Sequence, residues 1–408
     1  MRAGNLLVAL WFVLAIVHAT PAQETIARDE DPWRVGAPIV TYFAGPPMSD
    51  QVARQMAAAG FNVVWCGVDD LDVVHRHGLR GMVRDGLLSP TSLDTPEQRQ
   101  TLDALIDRVR KHPGAYSYYI VDEPSASAFP ALGKLVSYLR QRDPARMAYI
   151  NLFPTYASNE QLGTKGDVIT AYRQYLRQYV DVVKPALLSY DHYQFMTAGD
   201  SSQYFLNLSM VREESHDSGV PWLNIVQASS WHPTARVPVA DEMRYLVYTT
   251  AAHGAQGISY YVYTAAGHRG GMALADGTPT PIYDAIKSLN REFVAVVTEL
   301  QPLHCRAVYH TAMKEPGCVP LPKEASFQPD ASSEPGRGMM LGCFGQREES
   351  SHALLVNLDY KAGVSTTLSG PGSLQVFDAA AGKWSSPQGS RVQLDLLPGG
   401  GMLVRVSP

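Results

Sequence analysis

The sequence has few cysteines, little charge imbalance and no apolar run long enough to cross a membrane. Its 408 residues include 4 cysteines, and its 34 basic and 39 acidic residues are scattered instead of forming blocks. A net charge of −5 offers no basic surface for nucleic acid or for acidic lipid. We therefore predict no nucleic-acid partner and no insertion of the mature chain into a membrane, and the oligomeric state is left open.

The longest apolar run lies at the N-terminus and is typical of an export signal. Residues 6–17 form an apolar segment of 12 residues, which follows a single arginine and precedes small residues suited to cleavage. A bilayer needs about 20 apolar residues, so this run is too short for a membrane span. We predict a signal peptide over 1–22, a linker over 23–37 and an exported protein, either periplasmic or extracellular.

Four cysteines in an exported chain allow one or two disulfides. Cys66 lies inside a predicted strand and is expected to be a buried thiol. Cys305 and Cys318 flank a short segment and could close it as a loop, whereas Cys343 has no obvious partner.

Between residues 38 and 303, strand-like and helix-like segments alternate. The predicted strands are 39–47, 61–67, 79–85, 115–124, 145–154, 186–195, 220–229 and 258–265. Their near-continuous apolar character favours parallel strands covered on both faces. Eight strand–helix units in about 265 residues are typical of a (β/α)8 TIM barrel. A doubly wound open sheet is the alternative, but no glycine-rich phosphate loop follows the first strand.

After residue 303 the helical periodicity ends, and short strands separated by proline and glycine take its place. This pattern predicts a small all-β sandwich domain over 304–408. We expect its role to be structural.

The stretch 115–124, AYSYYIVDEP, carries the clearest functional signal. An apolar run ends in Asp122 and Glu123, and an unpaired buried carboxylate would cost several kcal/mol. Active sites of this fold lie at the carboxyl ends of the strands. The two acids are therefore predicted at the barrel mouth, with solvated loop acids as the alternative.

The other strand ends supply acids, amides and aromatic rings. The predicted substrate-binding residues are Trp65, Arg84, Asp85, Asn151, His192, Tyr193, Gln227, Trp231 and Tyr263. Rings can stack on the C–H faces of a sugar, polar groups can bind its hydroxyls, and one acid can protonate the leaving oxygen. No set of residues resembles a metal cage, a phosphate cradle or a Ser-His-Asp triad, so no cofactor is predicted.

The barrel, the C-terminal β module and the Glu-Pro that closes strand four resemble the clan-A glycoside hydrolases, the β-galactosidase, agarase and cellulase group. The C-terminal segments around LQVFDAAAGKW and GGGMLVRV are similar to the β-sandwich that ends several glycosidases. In the clan-A group strand four ends in Asn-Glu, so the resemblance implies that Glu123 is the general acid/base. This sequence departs from the pattern twice, since Asp122 replaces the Asn and Gln227 stands where the nucleophile is expected.

Asp191, in the motif SYDHY at the end of strand six, is the candidate for the missing carboxylate. The motif also resembles the strand-six Tyr-Asp of chitinase-like barrels, where such residues assist an attacking acetamido group. Asp122 competes with Asp191, although strand alternation turns it away from Glu123 unless a β-bulge intervenes. An ion pair between Asp191 and Arg84 is the non-catalytic alternative. We expect the Glu123 and Asp191 carboxylates to lie about 6.5–9.5 Å apart or slightly farther.

Together these features predict an exported glycoside hydrolase that acts on an oligo- or polysaccharide. Glu123 is the predicted general acid, Asp191 its partner and Asp122 a third catalytic candidate. The alternative is a non-catalytic glycan-binding barrel that lacks the strand-seven nucleophile.

Overall fold

Eight parallel strands form the centre of the protein in a computed structural model, which describes Met1, residues 33–330 and residues 338–408. The strands are Ile39–Phe43 (β1), Val63–Cys66 (β2), Arg80–Val83 (β3), Ala115–Asp122 (β4), Met147–Asn151 (β5), Leu188–His192 (β6), Trp222–Gln227 (β7) and Gly257–Tyr261 (β8). All eight predicted strands are present, and each is shorter than predicted at its carboxyl end.

Two ladders and two seams close these strands into a barrel. One ladder runs β2-β3-β4-β5 and the other β6-β7-β8-β1. At one seam the Asn62 N–H donates to the carbonyl of Val40 (3.1 Å), and at the other the Leu152 N–H donates to Ser189 (2.8 Å). The predicted (β/α)8 fold is therefore confirmed, and the carboxyl ends of all eight strands meet at one mouth.

A helix follows each strand and covers the outside of the barrel. The helices are Asp50–Ala58 (α1), Leu71–Arg76 (α2), Pro96–Val109 (α3), Phe129–Arg142 (α4), Val168–Gln178 (α5), Tyr204–Ser218 (α6), Ala240–Ala252 (α7) and Pro281–Leu300 (α8). A π-helical turn, Tyr179–Val183, extends α5, and shorter helices cover Val68–Asp70, Pro90–Leu93, Ala126–Ala128 and Asn159–Leu162. Ser49, Thr95 and Thr280 begin their helices by accepting a first-turn N–H. Among the described helices, none combines the length and the apolar character of a membrane span.

The barrel is rich in buried tyrosines, and several of their hydroxyls are paired. The Tyr118 hydroxyl donates to Asp143 (2.6 Å), and the Tyr260 hydroxyl donates to Asn290 (2.7 Å). A buried polar group without a partner would cost about 1–3 kcal/mol, so these bonds allow aromatic side chains to fill the core.

Seven strands follow the barrel and form two antiparallel sheets. They are His304–His310 (β9), Met339–Gly345 (β10), His352–Asn357 (β11), Val364–Ser369 (β12), Leu374–Asp378 (β13), Arg391–Leu396 (β14) and Gly401–Val406 (β15), with two-residue strands at Gln328–Pro329 and Lys383–Trp384. One sheet runs β9-β10-β11-β15-β13 and ends in Lys383–Trp384, and the other joins Gln328–Pro329, β12 and β14. The sheets enclose a core of their own, which includes Leu341, Leu355 and Leu394.

The outer face of the larger sheet packs directly on the barrel. A side chain at Gly342 of β10 would clash with the carbonyl oxygen of Ala252 at the end of α7, so only glycine fits. The described residues from 33 onward accordingly belong to one compact unit.

The N-terminal segment and the cysteines were also the subject of sequence predictions. The predicted signal peptide and most of the predicted linker lie outside the described residues. Val35, at the end of that linker, is packed on the barrel and accepts a hydrogen bond from the Tyr116 hydroxyl (2.8 Å). All four cysteines are free thiols and Cys66 is buried, so Cys305 and Cys318 form no disulfide.

Candidate active site

Strand β4 ends in an irregularity that brings two acids to the mouth. Its register with β5 shifts between Tyr119 and Val121, which is the bulge that strand alternation requires. Glu123 then adopts a left-handed backbone (φ 45°), which is rare for a residue with a side chain, and its N–H donates to the carbonyl of Asn151 (2.9 Å). Such strained residues are concentrated at functional sites.

Asn151, at the end of β5, connects the acids of two strands. Its amide nitrogen donates to Asp122 (3.0 Å) and to Asp191 (2.8 Å), while its oxygen accepts from the Ser189 hydroxyl (3.0 Å). Two acceptors of one NH2 group, about 120° apart, place these two carboxylate oxygens about 5 Å from each other. Asn151 is buried, with 1% of its surface exposed. It therefore spaces the acids and has no donor left for the substrate, contrary to the predicted binding role.

Glu123 and Asp191 are closer together than the sequence predicted. Their carboxyl groups form a direct hydrogen bond with each other, and neither forms an ion pair with Arg84 in the described part of the chain. The expected separation of about 6.5–9.5 Å assumed a regular strand end. The left-handed turn at Glu123 instead directs its side chain across the mouth to β6.

The surroundings of the pair determine where its proton resides. Burial raises the pKa of Glu123, and the charges of Asp191 and Asp122 raise it further. Burial also raises the pKa of Asp191, but the hydrogen bond from Asn151 (2.8 Å) and the nearby Tyr193 hydroxyl stabilise its ionised form. The shared proton is therefore assigned to Glu123, and Asp191 is the ionised acceptor.

Asp122 is the third acid and the most open to solvent. Desolvation in the cleft raises its pKa, and the hydrogen bond from Asn151 opposes that rise. Its residue surface is exposed, unlike that of Asp191, which is 3% exposed.

Aromatic rings form one side of the cleft beside the acids. Tyr193 lies against Trp231 (ring centroids 4.3 Å apart) and Tyr261 (4.9 Å). A cavity of about 570 Å³ opens here, within the usual size of small-ligand sites. Its lining includes Glu123, Phe153, Tyr156, Asp191, Tyr193, Asp200, Gln203 and Trp231.

Two predicted binding residues of β6 and β7 are buried and fully engaged. The Gln227 amide donates to the carbonyls of Phe195 (3.0 Å) and Arg236 (2.7 Å), and its oxygen accepts the Phe195 N–H (2.7 Å). The His192 ring bonds to Asn207 and Ser201 (both 3.1 Å), and burial lowers its pKa to about 4, so it is neutral. Both side chains are buried and bonded to neighbouring segments, so neither is open to the cleft.

Tyr263 is also misplaced by the prediction. Strand β8 ends at Tyr261, four residues before the predicted end, so Tyr261 takes the place at the mouth. Tyr263 is fully buried, where it packs on Tyr42 (5.2 Å) and donates to Gln55 (2.9 Å).

Three further predicted residues lie on the side of β2 and β3. The Arg84 guanidinium covers the Trp65 ring (4.5 Å), and Trp65 is 8% exposed, so this ring is no open platform for a sugar. Asp85 is exposed and accepts the Leu87 N–H (2.9 Å) in a turn. Trp65 and Asp85 are therefore structural, and Arg84 remains accessible.

The cleft also contains residues that the sequence analysis missed, above all Tyr156. It lines the cavity beside Tyr193, and its ring contacts His192 (5.1 Å). Tyr156 lies between β5 and α5, in an excursion longer than most strand–helix loops. That length was the available signal, because long loops at a barrel mouth commonly carry function.

The C-terminal module also reaches the cleft. The Tyr360 hydroxyl donates to Asp200 (2.7 Å), which lies in the hairpin Phe195–Met196/Gly199–Asp200 after β6. The Tyr360 ring packs on Phe195 (5.6 Å) and Tyr245 (5.5 Å). The module thus supports a loop that lines the cavity.

Comparison with known proteins gives a family match within the barrel. Residues 165–302 match glycoside hydrolase family 42, described as β-galactosidase. The match covers about a third of the chain and includes Asp191 but not Glu123. It confirms the predicted resemblance to the clan-A barrels and the enzyme class, glycoside hydrolase, without fixing the individual family. No curated protein matches the sequence significantly.

Several solved structures are similar to this chain at low sequence identity. A β-L-arabinopyranosidase from Geobacillus stearothermophilus is 9% identical, with a TM-score of 0.47, and the match covers 91% of this chain and 96% of that chain. A β-galactosidase from Marinomonas ef1 is 11% identical, with a TM-score of 0.44, and the match covers 64% of this chain and 60% of that chain. A β-galactosidase from Halorubrum lacusprofundi is 13% identical, with a TM-score of 0.43 and coverage of 63% and 58%.

Proposed function

We propose that this protein hydrolyses the glycosidic bonds of an oligo- or polysaccharide, with Glu123 as general acid and Asp191 as its ionised partner. The hydrogen-bonded Glu123–Asp191 pair carries this proposal, because it holds one proton at the base of an aromatic-lined cleft. A glycosidase needs a carboxyl group that is still protonated near neutral pH, so that it can protonate the leaving oxygen.

The pair must open before the reaction. Retaining glycosidases hold their carboxyl groups about 5–5.5 Å apart and inverting ones about 6.5–9.5 Å. Glu123 and Asp191 share a hydrogen bond and are closer than either range. Under this proposal the substrate displaces Glu123 from Asp191 and turns it towards the leaving oxygen.

Asp191 and Asp122 compete for the role of second carboxylate. Asp191 is buried and receives a hydrogen bond from Asn151, which together with the nearby Tyr193 hydroxyl favours its ionised form. Asp122 is held about 5 Å from Asp191 by the shared amide of Asn151 and is more open to the cleft. We propose Asp191 as the partner, and Asp122 is the specific alternative.

The first experiment separates hydrolysis from binding alone. The protein is incubated with a panel of plant and algal oligosaccharides, and reducing ends and bound ligand are measured in parallel. We expect new reducing ends with the native chain and none with Glu123→Gln. Binding without cleavage by the native chain would favour the non-catalytic glycan-binding alternative.

The second experiment identifies the partner carboxylate. Asp191→Ala and Asp122→Ala are assayed with and without azide, a small anion that can replace a missing carboxylate nucleophile. We expect azide to restore turnover only in Asp191→Ala. Restoration only in Asp122→Ala would assign the partner role to Asp122.

We also propose that the protein is exported after removal of residues 1–22, on the basis of the apolar N-terminal segment. The mass of the mature chain tests this directly. A mature chain that retains Met1 would contradict it.

A further inference from the structure

Arg84 is an unusual cation at the barrel mouth. It follows β3, and its N–H donates to the carbonyl of Cys66 (2.9 Å). Its guanidinium lies 4.5 Å from the Trp65 ring centroid and 5.4 Å from that of Tyr119. Stacking on aromatic rings fixes the plane of an arginine and leaves its N–H edge free for a bidentate acceptor.

No carboxylate of the described chain neutralises Arg84. Several exposed arginines elsewhere on the barrel are paired, as Arg76 is with Asp50 (3.1 Å) and Arg110 with Asp107 (2.9 Å). Asp85, the next residue along the chain, turns back to accept a backbone N–H instead. Arg84 is exposed and forms no ion pair with any residue in 33–330 or 338–408.

Arg84 lies beside the acidic residues of the cleft but does not contact them. Tyr119 lies on β4, three residues before Asp122, and the Arg84 guanidinium lies 5.4 Å from its ring centroid. The ring of Tyr119 contacts Trp65 (4.9 Å), which carries the guanidinium. Arg84 therefore lies beside the acid site, at the far side of one aromatic ring, where a neighbouring part of a bound substrate would reach it.

A second unneutralised arginine lies near the mouth. Arg269 follows β8, is exposed, and its side chain hydrogen-bonds only to the Ser230 hydroxyl (3.1 Å) among the described residues. Ser230 precedes Trp231, which lines the cavity. Two arginines without acidic partners thus lie near a cleft that contains three carboxyl groups.

We propose that Arg84 forms an anion-binding subsite and that the substrate is an acidic glycan, with a uronate carboxylate or a sulfate ester on a sugar next to the cleaved bond. This inference rests on the proposed function, because that function defines which glycosidic bond is cleaved. A neutral sugar cannot use the covered Trp65 face for stacking, whereas a planar anion matches the free edge of a stacked guanidinium.

The test measures binding without turnover. Calorimetry with the full-length Glu123→Gln chain uses an oligouronate, the same oligosaccharide after reduction of its carboxyl groups, and a sulfated oligosaccharide of equal length. We expect at least tenfold tighter binding of one acidic ligand than of the reduced ligand, and the comparison of the two acidic ligands identifies the anion. Adding Arg84→Gln should remove about tenfold to hundredfold of that affinity, as expected for hydrogen bonds to a charged group.

Arg54→Gln is the matched control, because Arg54 is also exposed and has no ion pair within the described residues but lies on α1. Equal binding of acidic and reduced ligands, or an Arg84→Gln effect no larger than that of Arg54→Gln, would overturn the inference.

Hydrolysis by the native chain separates this inference from the proposed function. Binding that depends on Arg84 without cleavage by the native chain would refute the function and leave the subsite standing. Cleavage by the native chain with a KM that Arg84→Gln leaves unchanged would support the function and refute the subsite.

Discussion

Two sides of the barrel mouth present similar residues but use them differently. The acid wall consists of the ends of β4, β5 and β6, with Glu123, Asn151 and Asp191. The amide wall consists of Gln227 at the end of β7, and Tyr263 lies buried beyond the end of β8. On the acid wall the carboxyl groups bond to one another across strands and line a cavity. On the amide wall the polar groups bond to the protein's own loops and side chains.

This difference shows that the residue type at a strand end does not by itself decide whether the side chain can contact a substrate. Gln227 stands where clan-A enzymes place a nucleophile, yet four backbone groups occupy its amide. Hydrogen-bond partners, which come from loops distant in the sequence, determine whether a polar side chain can meet a substrate.

The largest expected effect on activity comes from removing the acidic proton of Glu123. Glu123→Gln should lower kcat by about 10²–10⁴-fold, the usual contribution of a general acid. The fold should persist, because the change replaces a partly buried acid by a neutral isostere. Steady-state kinetics and thermal unfolding measure the two effects. Asp85→Asn, an exposed acid of the same mouth, is the control, and comparable losses in both variants would argue against a specific role for Glu123.

The next effect concerns stability and tests the amide wall. Gln227→Glu places a carboxylate where the clan-A resemblance expects a nucleophile, but there it faces the carbonyls of Phe195 and Arg236. We expect no gain in activity and a loss of about 3 kcal/mol or more in the free energy of unfolding, because buried acceptors lose their donor. Denaturant unfolding measures this, with the exposed Gln346→Glu as control. A stable and more active variant would mean that β7 does face the substrate.

A smaller effect should appear in the pH dependence of the acid wall. The pKa values of Glu123 and Asp191 are both raised, so activity should fall below the pKa of Asp191, where both acids are protonated, and above that of Glu123, where both are ionised. Asn151→Ala removes a donor from ionised Asp191 and should move the acidic limb to higher pH, on the order of one pH unit. A limb that stays in place would show that Asn151 does not tune the pair. Ser209→Ala, remote in the sequence and on α6, provides the control profile.

The sequence predicted the barrel because apolar strand runs and helical periodicity are local properties. It also predicted that Glu123 and Asp191 lie in the same site, since the parallel strands of a barrel end at one mouth. It did not predict their direct hydrogen bond, because the left-handed turn at Glu123 depends on the register with β5. Gln227 and Tyr263 were misassigned for a related reason, as their partners lie in loops whose course no local pattern specifies.

The smallest effect concerns the support of the acid wall by the C-terminal module. The Tyr360 hydroxyl donates to Asp200 in the hairpin that lines the cleft, and its ring is already held by Phe195 and Tyr245. Tyr360→Phe keeps the ring and removes one hydrogen bond, worth about 1 kcal/mol. If that bond positions the hairpin, KM should rise about fivefold while kcat and the unfolding temperature change little. If the module is only structural, KM should match that of the control Tyr309→Phe, a tyrosine of the same module on β9. Equal KM values in the two variants would show that the C-terminal module does not position the substrate cleft.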